Sequence, residues 1–231
     1  MQRPCGTRLR LSGPRPLRSS RRTTVGRDTG PKWKLARREG FDLFGRGMAG
    51  TGKSPLARRN YPPGQHAGRN SRQSPYGLRL REKQRLKRIY GIRERQCRSY
   101  YIKAAAQKGD TGANLLCLLE RRLDAVLATA GFSKTIAQAR QWIVHRHFLV
   151  NGKRVDVPSF SVSEGDVITA RAQPNTQRLV DENLQLNAGL VIPDWLEINV
   201  PDRSVRVVGM PGREDIPFPV AENLIIEFYS M

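Results

Sequence analysis

The chain has 231 residues, 38% of them hydrophobic, and carries 41 lysines and arginines against 20 acids for a net charge of +21. That length holds one large or two small domains around a modest core, and the charge is the footprint of a partner with a phosphate backbone. Cys5, Cys97 and Cys117 contain no C-x-x-C pair and argue against a disulfide framework or a zinc knuckle; no apolar run approaches the roughly eighteen residues that span a bilayer, and the first residues lack the apolar stretch of a secretory signal. A soluble, non-exported chain in a reducing compartment is expected. The positive charge is concentrated at one end: residues 1–110 hold 29 bases and 6 acids, 111–171 hold 8 and 5, and 172–231 hold 4 and 9. Only the first two segments are expected to face nucleic acid.

Residues 1–27 contain eight arginines and no acid among Ser, Thr, Pro and Gly, so they cannot bury enough surface to fold alone. A disordered basic extension over 1–28 is expected. Arginine and serine without acids also describe an organellar transit peptide, although Pro4, Pro14 and Pro16 spoil the amphipathic helix such peptides use. From Gly30 to Tyr61 the chain is punctuated by Gly and Pro. Within it, Gly47 to Ser54 satisfies the phosphate-loop pattern G-x-x-x-x-G-K-[ST] and raises a nucleotide hydrolase as an alternative. The surroundings argue against that reading, since only Phe41 to Phe44 precedes the loop, Pro55, Pro62 and Pro63 crowd the residues after it, and no strand ends in a metal-binding Asp.

Residues 76–107 read as two basic helices divided at Gly91. The first crowds Arg79, Arg81, Lys83, Arg85, Lys87 and Arg88 around a thin line of Leu86, Ile89 and Tyr90; the second carries Arg93, Arg95, Arg98 and Lys103. Glu82 and Glu94 are too few for pairing along the helices, so phosphates are the expected counterions. Tyr61, Tyr76 and Tyr90 are candidates for stacking on unpaired bases, although a Tyr beside apolar residues is more often a core residue with a bonded hydroxyl.

Between Leu115 and Arg171 two amphipathic helices precede short antiparallel strands. Leu115, Leu116, Leu119, Leu123, Val126 and Leu127 recur at helical spacing, with Glu120, Arg121 and Asp124 expected on the wet side. Gly131 supplies a left-handed stop, Ser133 or Thr135 caps the next helix, and Ala139, Trp142 and Ile143 form its buried stripe. Phe148 to Val150 then enters an Asn151-Gly152 hairpin turn and returns through Lys153, Arg154 and Val155, with another turn at Ser163 to Asp166. Lys134, Thr135, Arg140 and His145 place cations and a hydroxyl near a helix N-terminus, where free N–H groups attract phosphate. Beyond Arg171, strand-like pieces at Trp195–Val200 and Val205–Gly209 and a helical stripe of Leu224, Ile225 and Phe228 form an acidic segment, either a cover for the core or a surface for a basic protein neighbour.

Several long segments carry a family resemblance: GPKWKLARREG from Gly30, RRNYPPGQH from Arg58, YGLRLREKQRLKRIYGIRERQ from Tyr76, ERRLD from Glu120, ARQ from Ala139, HFLVNGKRV from His147 and ENLIIEFYS from Glu222. From Gly30 to Ser230 the chain resembles bacterial-type small-subunit ribosomal protein four. The resemblance implies an α+β fold, with a helical N-terminal region and an embedded RNA-binding module of two helices packed on a small antiparallel sheet. The corresponding division is 29–118 for the helical domain, 119–182 for the module and 183–231 for an acidic segment packing back on the body. It also implies a non-enzymatic constituent of the small subunit that binds 16S-type rRNA early, nucleates assembly of the body of the 30S subunit and, with ribosomal proteins five and twelve, affects translational accuracy. The expected partners are that rRNA and ribosomal protein five, with other small-subunit proteins near the point where mRNA enters, and neither a membrane nor a small-molecule substrate. A free RNA-binding regulator or chaperone using the same module is the alternative binding protein.

RNA contacts are expected from Lys32, Lys34, Arg37 and Arg38, from Arg58, Arg59, Tyr61, Gln65 and His66, from Tyr76, Arg81, Lys83, Gln84, Lys87, Arg88, Arg95 and Arg98, and from Lys134, Thr135, Arg140, His145, Lys153 and Arg154, with Arg81, Lys83 and Lys87 supplying much of the phosphate neutralisation. No cofactor is expected. Zinc-binding relatives carry four cysteines where this chain has Trp33, Ala36, Ala49 and Ser54, so no metal is expected either, and Ile136 stands where relatives usually have Arg. The 1–27 arm has no family counterpart; a cytoplasmic ribosome is the expected location, with an organellar ribosome open because of that arm.

Overall fold

The computed structural model describes residues 30–43, 55–65, 73–187, 189–216 and 218–231. The basic extension, the phosphate-loop pattern at 47–54 and His66 lie outside the described residues.

Short helices α1 (Lys32–Glu39) and α2 (Pro55–Arg58) precede the first long one, α3 (Pro75–Ile89). Its start is fixed locally: Ser74 Oγ accepts the Gly77 N–H at 3.1 Å and Pro75 occupies the first turn, where no N–H is needed. Gly91, at φ +59°, turns the chain into α4 (Glu94–Ala105). Asp110 then caps α5 (Thr111–Glu120) by accepting the Ala113 N–H at 2.9 Å. The apolar spacing predicts one helix from Leu115 to Leu127, but the helix breaks. Arg122 is extended and bridges to Ser161, and a new helix α6 (Leu123–Thr129) begins. After the left-handed Gly131, Thr135 rather than Ser133 caps α7 (Ile136–Val144), accepting the Gln138 N–H at 3.2 Å. Strands β1 (Phe148–Val150) and β2 (Lys153–Arg154) flank the Asn151-Gly152 turn, whose φ values of +50° and +75° suit a tight two-residue hairpin. Strand β3 (Val167–Ala170), helix α8 (Pro174–Leu186), strands β4 (Leu196–Asn199) and β5 (Ser204–Val207) and helix α9 (Glu222–Ser230) complete the chain.

Among the described residues, five strands form one antiparallel sheet, in the order β2-β1-β3-β5-β4. The acidic segment is therefore no separate cover: its two strands extend the module's sheet beside β3, and the stretch from Ile216 through α9 returns to the helical region. Two cores result. One packs Leu86, Ile89, Tyr90, Cys97, Leu115, Leu116 and Leu119 from α3, α4 and α5 with Ile216, Val220 and Ile225 from the chain's end. The other packs Leu123, Val126, Leu127, Ala139, Ile143 and Phe148 with Ile168, Val180, Trp195, Leu196, Val205 and Val207. The changeover falls at the α5–α6 break, whereas the expected borders at 118/119 and 182/183 fall inside α5 and α8.

Glu120 and Asp124, expected to be wet, are 3% and 0% exposed. Burial of a carboxylate requires hydrogen-bonded partners, and both have them. Tyr90 donates its hydroxyl to Glu120 at 2.7 Å, and Asp124 accepts from Arg122 and Arg140. Tyr90 is thus a core residue at 1% exposure and not a stacking platform.

Candidate nucleic-acid interface

Exposed cations gather first on α1 and α2. Lys32, Lys34 and Arg38 point outward from α1, and Arg58 and Arg59 are exposed at and just past the end of α2. Arg37 is partly covered because it anchors the loop at Tyr61. Its Nε donates to the Tyr61 carbonyl at 3.0 Å, its Nη2 reaches the Pro62 carbonyl at 3.4 Å, and the guanidinium carbon lies 4.7 Å from the centre of the Tyr61 ring. Gln65 is exposed.

Helix α3 departs from the sequence reading. Lys83 is 4% exposed: its ammonium donates to Glu94 Oε1 at 2.8 Å and lies 4.2 Å from the Phe228 ring centre. Lys87 approaches the other oxygen of Glu94 at 3.4 Å. Arg81 and Arg88 both bind Glu39 Oε1, and the Glu39 side chain is 1% exposed. The counterions of these four cations are therefore two carboxylates of the chain itself, and Lys83, expected to meet phosphate, is a buried tie between α3, α4 and α9. Glu39 escapes any count of charges along α3 because it lies 42 residues from Arg81 in sequence. Burial pushes the Glu39 carboxyl above its ordinary range against the pull of Arg88, Arg81, Arg85 and Arg38. For Glu94, burial pushes the same way, but hydrogen bonds from Lys83 and Tyr229 and the charges of Lys83 and Lys87 outweigh it, leaving the carboxyl below the usual glutamate range. Gln84 is half-buried, whereas Tyr76 is 52% exposed, with its ring 5.8 Å from that of Phe228.

Arg95 and Arg98 on α4 are exposed and make no ion pair among the described residues, as are Lys134 before α7 and Lys153 and Arg154 on β2. Arg140 is different. Its Nη2 donates to Asp124 Oδ2 at 2.7 Å and to the Tyr90 carbonyl at 3.0 Å, and its Nη1 to the Gly91 carbonyl at 2.8 Å. Together with Arg122, which binds both oxygens of Asp124 and the Tyr100 hydroxyl, it joins the module to the end of α3. Arg140 is thus held by the protein's own Asp124 and by the end of α3. Arg122 is absent from the sequence-derived set of functional residues, and the signal for its place in this network was the Arg122/Asp124 pair in ERRLD. His145 is exposed, with its ring 6.1 Å from that of His147, whose own ring nitrogen lies 2.8 Å from Thr176 Oγ1. Burial, followed by the neighbouring His145 and Arg171, pushes His147 below the ordinary histidine range. Trp33 and Ala36, two of the positions expected to match the zinc cysteines, lie on α1, and Ala49 and Ser54 lie outside the described residues. Ile136 opens α7 half-buried against the helical core, so its side chain serves packing.

A helical region joined to a two-helix, antiparallel-sheet module, both bearing exposed cations, defines a nucleic-acid-binding protein. Residues 27–120 match the family model of the ribosomal protein S4/S9 N-terminal domain, and residues 121–168 match that of the S4 domain. The chain is 49% identical over 207 residues to small ribosomal subunit protein uS4 of Thermoanaerobacter pseudethanolicus, 46% identical to that of Thermodesulfovibrio yellowstonii and 44% to that of Halothermothrix orenii, covering 89% of this chain and 100% of each relative. The chain belongs to the ribosomal protein S4 family. This is a family of structural ribosomal proteins, not enzymes.

Proposed function

We infer that this chain is a structural constituent of the small ribosomal subunit that binds its rRNA through the cations left without ion pairs on the surface. The observation that carries the reading is a division of labour among the bases. Lys83, Lys87, Arg81, Arg88, Arg122 and Arg140 are neutralised by Glu94, Glu39 and Asp124, whereas Lys34, Arg58, Arg59, Arg95, Arg98, Lys134, Lys153 and Arg154 are exposed without an ion pair among the described residues. Phosphates then supply the missing counterions, and the folded RNA is read by shape, with hydrogen bonds and stacking adding the rest.

The finer reading follows the family. Binding occurs early and nucleates the body of the subunit, and contact with ribosomal protein five, together with protein twelve, bears on accuracy. The acidic character of 172–231 supports a protein neighbour there, as do its exposed apolar Leu186, Val191, Ile192 and Val200, the last two lining a cavity of about 470 Å³. The ribosome is cytoplasmic on this reading, and the arginine-rich 1–27 supports an organellar one as the variant. Sedimentation of lysate from cells expressing the chain tests the core claim: it comigrates stoichiometrically with small subunits, and a wholly ribosome-free pool would instead indicate a free regulator.

A further inference from the structure

We propose that Trp33, Arg37 and Tyr61 form a stacking platform for an unpaired RNA base, a subsite distinct from the phosphate-binding cations; the proposal rests on the rRNA-binding reading above. Trp33 and Arg37 stand four residues apart on α1 and so share one face of the helix. Arg37 lies over the Tyr61 ring and holds that residue's carbonyl, so the guanidinium and phenol are held in place before any ligand arrives. Trp33 and Tyr61 are each 47% exposed. The Trp33 indole stands half in water beside Lys32 and Lys34, whereas the residues that α1 fully buries are Ala36 and Glu39.

The charge around the platform selects the occupant. Helix α1 carries Lys32, Lys34, Arg37 and Arg38, and its one acid, Glu39, is buried against Arg81 and Arg88 and turned away from solvent. The outward face is therefore cationic and aromatic with no exposed carboxylate. That combination fits a splayed-out base, whose ring stacks on indole, guanidinium or phenol while its flanking phosphates meet the basic side chains. A duplex offers no free base face, so the ligand is a single-stranded loop, bulge or junction nucleotide. An apolar or acidic protein segment fits less well: the former offers nothing to the exposed Lys34 and Arg38, and the latter leaves the ring faces without a planar partner.

The chain itself supplies the probe. Of its three tryptophans, Trp142 and Trp195 are 8% and 5% exposed, so quenching on RNA addition reports Trp33. Full-length protein is titrated with a small-subunit rRNA transcript and, separately, with a blunt RNA duplex. Stacking quenches the emission with the transcript and not with the duplex. Trp33→Leu weakens transcript binding by roughly ten-fold, in line with what one stacked base contributes, while Trp33→Phe, which keeps a ring, loses less. Because no phosphate contact is removed, the salt dependence of Trp33→Leu keeps the wild-type slope. Tyr61→Leu acts in the same direction. Transcript binding with unquenched emission and an unchanged Trp33→Leu affinity overturns the platform, leaves rRNA binding standing and assigns the face to a protein neighbour. Failure to bind the transcript at all overturns both.

Discussion

Asp124 shows how one carboxylate decides the fate of two cations. It is fully buried, accepts from both Arg122 and Arg140, and sits where the two cores meet. Removing one partner of such a network leaves buried charge without compensation, which costs about 3–5 kcal/mol. Asp124→Ala therefore lowers stability by roughly 3 kcal/mol, read as a fall in the urea midpoint, and the loss exceeds that of Arg140→Ala, because Arg140 retains 21% side-chain exposure and Asp124 keeps Arg122 as a partner. Lys83→Ala belongs to the same class. It takes the closest cation from Glu94, which keeps Lys87 and the Tyr229 hydroxyl, and it uncovers the Phe228 ring, so it lowers the unfolding midpoint by less than Asp124→Ala and leaves the salt slope of RNA binding within error of wild type. A parallel drop in slope would show that the Lys83 ammonium reaches RNA after all.

The same residues explain what the sequence made legible at the scale of elements. Helices α3, α4 and α7, the Asn151-Gly152 hairpin and the strands at 196–199 and 204–207 were foreseeable, because each is fixed by signals within a few residues: apolar spacing, a capping hydroxyl, positive φ. Helix α8 escaped, since two of its three buried positions, Thr176 and Asn183, are polar and thin its apolar stripe to Val180 and Leu184. The α5–α6 break escaped for the opposite reason. Leucine spacing continues through Arg122 although the helix does not, and the bridge to Ser161 that bends it is remote in sequence. Part of the candidate interface was obscured in the same way: charge counting along α3 cannot see Glu39 or the C-terminal helix. That helix has its own pH test. The Glu94 carboxylate ties α3 to α9 through Lys83 and the Tyr229 hydroxyl, which lies 3.0 Å away. Its carboxyl is depressed in the fold, so its contribution is fully present above the ordinary glutamate range and is lost as pH falls through the lower folded value. Protection of α9 amides from hydrogen exchange should fall on acidification across that window, and Glu94→Gln should flatten the dependence. An unchanged profile in Glu94→Gln would assign the effect to another group.

For the whole molecule, the two cores are joined through Arg122 and Arg140, which puts α1, α4 and the α7 N-terminus on one folded body, and its exposed cations are expected to bind one RNA site together. Counterion release makes this measurable. Removing one phosphate contact lowers the magnitude of the slope of log affinity against log salt by something under one unit. Arg95, Arg98 and Lys134 are exposed and make no ion pair among the described residues, so replacing them costs the fold almost nothing. The triple alanine variant should therefore weaken binding to a small-subunit rRNA transcript and reduce the slope by about two units, with an unfolding midpoint near that of the wild type. Replacing Arg81, Lys83 and Lys87 should do the reverse, lowering the midpoint with little change of slope, because Glu39 and Glu94 already neutralise those cations. Filter binding at several salt concentrations, run beside urea unfolding on the same preparations, separates the two classes. If the Arg81, Lys83 and Lys87 variant loses slope while the Arg95, Arg98 and Lys134 variant keeps it, the RNA face lies along α3, and the internal ion pairs open when RNA binds.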